Sequence, residues 1–241
     1  MRNGSEHESL AEASHDAWIH LYRSNAFSRE TQISYYLEAE LGIFCLDAEL
    51  RRRSKGKHGI CDLMAKLCKK YALGYPNTIK LGVDYKDIRK ELVNMEGGRN
   101  LGMYLDDMVY SKSAPEITHA LEFYGLGLTS KINQDKTPSL SWLGLNISDK
   151  AGRVTVSSHQ SNSTLRNLIM SGDELIAINS MRVNNVKSIK TILSKLDPNE
   201  VEICYNHEGI VKSVTVKLSV EPELKTKLDG KGNQRWKRYI A

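Results

Sequence analysis

Apolar residues recur every three or four positions through the first half of the chain, a spacing that predicts helices. Ile33, Leu37, Leu41, Phe44, Cys45 and Ala48 form one stripe, closed by Arg51-Arg52-Arg53. Positive charge there suits the negative end of a helix dipole. Gly56 and Gly59 break the run, and Ile60, Leu63, Met64, Leu67, Cys68 and Tyr71 repeat it. Asp84 is placed to cap a helix through Met95 that Gly97-Gly98 stop. Asn100 is placed to cap the next, with Leu101, Tyr104, Leu105, Met108 and Val109 on one face. A short helix follows Pro115 and ends at Gly125, so residues 1–128 read as helical.

The period then changes. Residues 129–138 are polar, with Asn, Gln, Asp, Thr and Pro, and read as a linker. In the segment 139–220, Val154-Thr155-Val156 and Val201 to Tyr205 alternate as strands, Asn206-His207-Glu208-Gly209 turns, and Val211 to Val220 returns. Gly172-Asp173 leads into an apolar strand over Glu174–Asn179, and Val186–Leu196 reads as a helix. Residues 221–241 hold six basic and three acidic residues with Trp236 and Tyr239, and are expected to be a solvated or frayed tail. The expected class is α+β, a helical subdomain followed by a β module with a flanking helix.

A chain of 241 residues with 40% hydrophobic content can bury two cores. Its net charge of +5, from 34 basic and 29 acidic residues, is too mild to point to nucleic acid. Cys45, Cys61, Cys68 and Cys204 form no CxxC pair and no zinc-finger spacing, so reduced thiols are expected. No apolar run nears the ~20 residues of a membrane span, and residues 1–20 lack a signal-peptide apolar region. These features favour a cytoplasmic protein without a membrane partner. A Gly-x-Ser-x-Gly elbow is missing, and Glu8, Glu12 and His15, though they share a helical face, read as a solvated face rather than a metal site.

Two apolar–glycine elements stand in a telling order. Trp142-Leu143-Gly144-Leu145 runs into a strand, and Gly172-Asp173-Glu174-Leu175-Ile176-Ala177-Ile178-Asn179 follows. With the helix and closing hairpin after them, they resemble a PDZ domain, in the circularly permuted form common in bacteria. That resemblance implies a PDZ-like barrel or sandwich that binds a peptide or protein C-terminus as an added strand. The amides of Leu143, Gly144 and Leu145 would hold the carboxylate, Leu145-Asn146-Ile147-Ser148 would pair with the peptide backbone, and Ser188 and Ile192 would face its side chain. Ser188 stands where one specificity class has histidine, so ligand preference does not carry over.

The N-terminal half has its own signature. Ser9-Leu10-Ala11-Glu12-Ala13-Ser14-His15-Asp16-Ala17-Trp18-Ile19, then Tyr22-Arg23, then Ile33-Ser34-Tyr35-Tyr36, come in an order that resembles the glycyl aminopeptidase family of zinc metallopeptidases. That family is similar to thermolysin-like enzymes, and a PDZ domain follows its helical part. The resemblance implies that Tyr36, with Tyr35 second, matches a tyrosine that donates a hydrogen bond to the oxyanion of the tetrahedral intermediate. The family's basic residue, glycine and small or acidic residue are here Glu38, Ala39 and Glu40. Its His-Glu-x-x-His zinc motif is missing: none of the seven histidines is followed four positions later by another. The motif lies upstream in the family, so zinc is expected only in an upstream half and no metal ligand is expected here.

The expected function is therefore the C-terminal segment of a glycyl-aminopeptidase-like metallopeptidase, inactive alone, with a peptide-binding PDZ module and the upstream peptidase half as a further partner. The alternatives are a stand-alone adaptor for protein C-termini, and an active aminopeptidase with unrecognised metal ligands. If zinc-bearing helices normally cover the first helices, Ala17, Trp18, Phe44 and Cys45 should be partly uncovered.

Overall fold

The computed structural model describes residues 7–20, 22–23, 28–72, 82–132, 143–160, 163–196, 200–217 and 224–239. Most of the expected linker, together with Trp142 and the end of the return strand, lies outside the described residues. The class is α+β. The chain divides into two compact units: one holds Trp18–Gln32 and Ser130–Thr226, the other Glu6–Ala17, Ile33–Thr129 and Lys227–Ala241.

The helical unit is built around α4 (Tyr35–Arg53). Ser34 caps it by accepting the Leu37 amide hydrogen bond at 3.5 Å, and the last turn carries the three arginines. Before it, α1 (Leu10–His15) opens with a capping box, in which Ser9 N–H donates to Glu12 at 2.8 Å. In chain order α2 (Ala17–His20) and α3 (Ser28–Thr31) follow α1, but α3 and most of α2 belong to the other unit. After α4 come α5 (Ile60–Leu67), α6 (Tyr85–Val93), α7 (Leu101–Tyr110) and α8 (Thr118–Phe123). Leu46, Leu50, Leu63, Leu67, Leu92, Leu101 and Leu105 form one core; of the expected α4 stripe Cys45 and Ala48 are buried but Leu37 is exposed, and Leu46 and Leu50, outside that stripe, carry the contact. Gly42 lets α4 approach α7 closely, since a Cβ there would strike the Met108 thioether. Two local expectations change. Helix α5 runs into a π-helical turn at Cys68–Ala72. Asn100 makes no side-chain cap; its left-handed φ of 67° instead turns the chain into α7.

Asp47 is the polar centre of this unit. It is fully buried and accepts hydrogen bonds from Arg51 Nε (2.7 Å), the Ile60 amide (2.6 Å) and the Tyr124 hydroxyl (3.0 Å). One carboxylate thus ties α4 to the start of α5 and to the end of α8.

The tail differs from expectation. β8 (Leu224–Asp229) pairs with β1 (Gly127–Ile132), and α10 (Gln234–Tyr239) follows. Asn233 anchors the helix by donating its amide N–H to Tyr124 O at 2.8 Å and its side chain to Phe123 O at 2.9 Å. Trp236 then meets the buried Tyr124 ring edge-on at 5.7 Å. Six basic residues dominated the composition, but the two aromatics set the fate of the segment.

In the other unit an antiparallel sheet runs in the order β2-β3-β4-β6-β7, with β5 on β4. Its strands are β2 (Leu145–Lys150), β3 (Arg153–His159), β4 (Glu174–Ile178), β5 (Met181–Arg182), β6 (Val201–His207) and β7 (Ile210–Val216). Inward residues of β2, β3, β4 and β6, with Ile189, Ile192 and Leu193 of α9 (Val186–Leu193), form its core. His207 and the buried Asp173 join β6 to the turn before β4 at 2.8 Å.

Candidate functional site

Ser34 ends the extended approach to α4 and so places Tyr35 and Tyr36 on the first turn. The two rings stack, with centroids 4.2 Å apart. Tyr35 is half-buried, whereas Tyr36 is 62% exposed and its hydroxyl has no hydrogen-bond partner among the described residues. Tyr36 thus presents its phenol at the start of α4, stacked on Tyr35. Glu38 is buried beneath them and Ala39 is half-buried.

The expected uncovered patch holds for Trp18 and in part for Phe44, but not for Ala17 and Cys45. Ala17 and Cys45 are buried and Phe44 is half-buried. On α4 the exposed apolar residues are Tyr36, Leu37 and Ile43; in the other unit Trp18 is 81% exposed. Burial of Cys45 follows from its position against α8, where its thiol points at Glu116 O at 3.6 Å.

The second candidate lies along β2. This strand pairs with β3 on one side, and no other described strand pairs with it. Helix α9 lies beside it, held at one end by the Val186 amide donating to Asp149 Oδ2 at 3.3 Å. An open strand edge next to a helix is the geometry in which an extended peptide can add. A bulge between Asn146 and Ile147 shifts the register, and Ile147 packs half-buried on the core.

The individual residues are placed as follows. The side chains of Leu143 and Leu145 are in the core, so only their backbone could meet a ligand. Gly144 has a φ of 62°, and a Cβ on it would come within 2.7 Å of Ser163 Cβ and 2.9 Å of its Cα. Glycine is thus required here for packing, whatever the loop binds. Ser188 does not offer a free hydroxyl: it donates to Asn185 O (2.7 Å) and accepts from the Asn184 and Asn185 amides, closing the cap of α9. Ile192 is buried in the core beside it. The Asp149–Val186 tie had no sequence signal, since its partners are 37 positions apart.

Residues 1–41 match the family model of the M61 glycyl aminopeptidases. The chain is related to that family. The matched segment ends just past Tyr35 and Tyr36, within the first turns of α4. The structure of an aminopeptidase N family protein from Idiomarina loihiensis superposes on 99% of this chain with a TM-score of 0.78, at 19% identity. The two share a fold, and this chain spans 41% of that protein's length. A PDZ domain of HtrA3, solved with a phage-derived ligand, aligns with 42% of this chain and 92% of its own at 12% identity. Its TM-score of 0.26 is too low to bear on the fold. No curated protein matches the sequence.

The M61 relationship raises the question of a metal. Among the described residues, no group of three or more His, Cys, Asp or Glu side chains could hold one. The described donor set therefore does not by itself fit a family-type zinc ion. No helix among the described residues is long and apolar enough to cross a membrane.

Proposed function

We propose that this chain is the C-terminal segment of a glycyl-aminopeptidase-like metallopeptidase, inactive in peptide hydrolysis by itself, with a PDZ-like peptide-binding module. The observation that carries the reading is Tyr36. It lies in the segment related to M61, stands exposed at the first turn of α4, and has an uncommitted hydroxyl among the described residues. A phenol so presented suits hydrogen bonding to an oxyanion, a contact worth about 10²–10³ in rate where it operates. The metal ligands would come from an upstream half, which would cover the exposed Tyr36, Leu37 and Ile43. In the β module, a peptide would lie along the free edge of β2, with its carboxylate at the backbone of 143–145.

The open β2 edge also favours a second reading, a stand-alone adaptor for protein C-termini. Two measurements test the pair. Purified chain is assayed for zinc by mass spectrometry and for turnover of glycine p-nitroanilide; the first reading expects neither, and stoichiometric zinc with turnover would overturn it. A fluorescent screen of C-terminal hexapeptides then tests the module, with each hit compared to its C-terminal amide. Both readings expect amidation to weaken binding at least tenfold. Equal affinity would show that the 143–145 loop does not hold a carboxylate.

A further inference from the structure

A cleft of about 820 Å³ opens in the helical unit between α4, α7, the 111–117 segment and α8. It is separate from the face that carries Tyr36. Cys45 at its floor lies nine residues beyond Tyr36, about two and a half helical turns, and so on the opposite side of α4. Cys45 Sγ meets Glu116 O, and Lys112 binds Glu12 at 3.2 Å and donates to His7 O at 3.1 Å. These contacts hold the 111–117 segment against α4 and α1.

The lining combines apolar depth with carboxylates. Tyr104 and Phe123 contribute rings, and Met108, Ala114 and Ala120 contribute apolar surface. Of the charged groups, Arg52 and Glu49 cancel in a two-pronged pair, both bonds 2.7 Å. Glu122 stands 3.6 Å from His119, which leaves Asp107 and Glu116 as the remaining carboxylates of the lining. Hydrogen bonds from the Thr118 hydroxyl and amide hold the Glu116 carboxyl below its ordinary range. Asp107 forms no ion pair or side-chain hydrogen bond among the described residues.

We propose that this cleft binds a small organic cation, its apolar body between Tyr104 and Phe123 and its ammonium or guanidinium group at Asp107. The volume is that of a small-molecule site. The Phe123 ring already takes the Arg235 guanidinium at 4.7 Å from its centroid, and aromatic rings with carboxylates beside them favour a cation over a neutral or anionic molecule of the same shape. The carboxylates only select the sign of charge; the pre-formed apolar cleft makes the site. The proposal is independent of the peptidase reading, because it uses neither Tyr36 nor the β2 edge.

The test uses three probes with one apolar body: phenethylamine, 2-phenylethanol and 3-phenylpropionate, each titrated into the full chain by ligand-observed NMR. Phenethylamine is expected to saturate in the millimolar range or below, and at least about tenfold more tightly than 3-phenylpropionate. Asp107→Asn, at an exposed position, should weaken phenethylamine at least threefold with an unchanged melting temperature. Ala114→Trp should abolish binding by filling the cleft. Equal affinity for amine and acid, no saturable amine binding, or full binding by folded Asp107→Asn would each overturn the assignment. Should Ala114→Trp fail to fold, the probe comparison and Asp107→Asn still decide the matter.

Discussion

Replacing Asp47 by alanine should be among the most damaging single changes in the helical unit. The carboxylate is fully buried and accepts from three donors on separate stretches of chain: Arg51, the Ile60 amide and the Tyr124 hydroxyl. Alanine strands each donor differently. The Tyr124 side chain is fully buried, so its hydroxyl loses its acceptor without gaining water, at about 1–2 kcal/mol. The part-buried Ile60 amide adds about 1 kcal/mol. Arg51 keeps 32% of its side chain exposed and can turn to solvent, which limits its share to about 1 kcal/mol or less. The total, about 2–4 kcal/mol, overlaps the cost of removing one partner of a buried ion pair. A melting-temperature drop of roughly 10 °C follows for a unit of this size. Calorimetry of wild type, Asp47→Ala, Tyr124→Phe and the double variant would measure it. Tyr124→Phe should cost about 1 kcal/mol alone and almost nothing on top of Asp47→Ala. Fully additive losses, or a drop below about 1 kcal/mol for Asp47→Ala, would refute this account of α4 and thus of how Tyr36 is held.

Glu91 is buried between Lys66 (3.0 Å) and Lys70, and the Lys70 hydrogen bond leads in holding its carboxyl from 4.5 down to about 2. The sign is that of a depressed acid: the stabilisation is present above pH 4.5 and is lost as pH falls toward 2. Because both lysines are substantially exposed, we expect about 1–2 kcal/mol rather than the full shift. Acid titration of Glu91→Gln should show a flatter loss of stability across that window, and an unchanged profile would contradict it. Gly144→Ala should cost about 2–3 kcal/mol, from left-handed strain plus the approach to Ser163. Gly152→Ala, with a φ of 74° and open space around it, should cost only about 1 kcal/mol in the same denaturation assay. Equal losses at the two glycines would remove the packing explanation for Gly144.

Much of the local structure was legible because it depends on neighbours in sequence. The three-and-four spacing of Leu63, Leu67, Leu101 and Leu105 foretold both the helices and the face they bury, whereas Leu46 and Leu50 of α4 lie outside the expected stripe. Asp84 marked a helix start, and Gly97 and Gly125 marked stops. The turn at Glu208-Gly209 between β6 and β7 was equally local. The order of Ile33-Ser34-Tyr35-Tyr36 after the Ser9–Ile19 segment was enough to suggest a peptidase relationship. Tertiary structure alone decided which distant groups meet. β1 and β8 pair across roughly a hundred residues, and Trp236 leaves an otherwise basic tail to cover Tyr124. Asp47 finds donors 13 and 77 positions away. Ser188 spends its hydroxyl on a cap, and Cys45 shares a cleft with Asp107 and Phe123. Periodicity reports which face of an element avoids water; it carries no information on which other face will cover it. Hydrogen-bond partners and cavities are properties of that second choice.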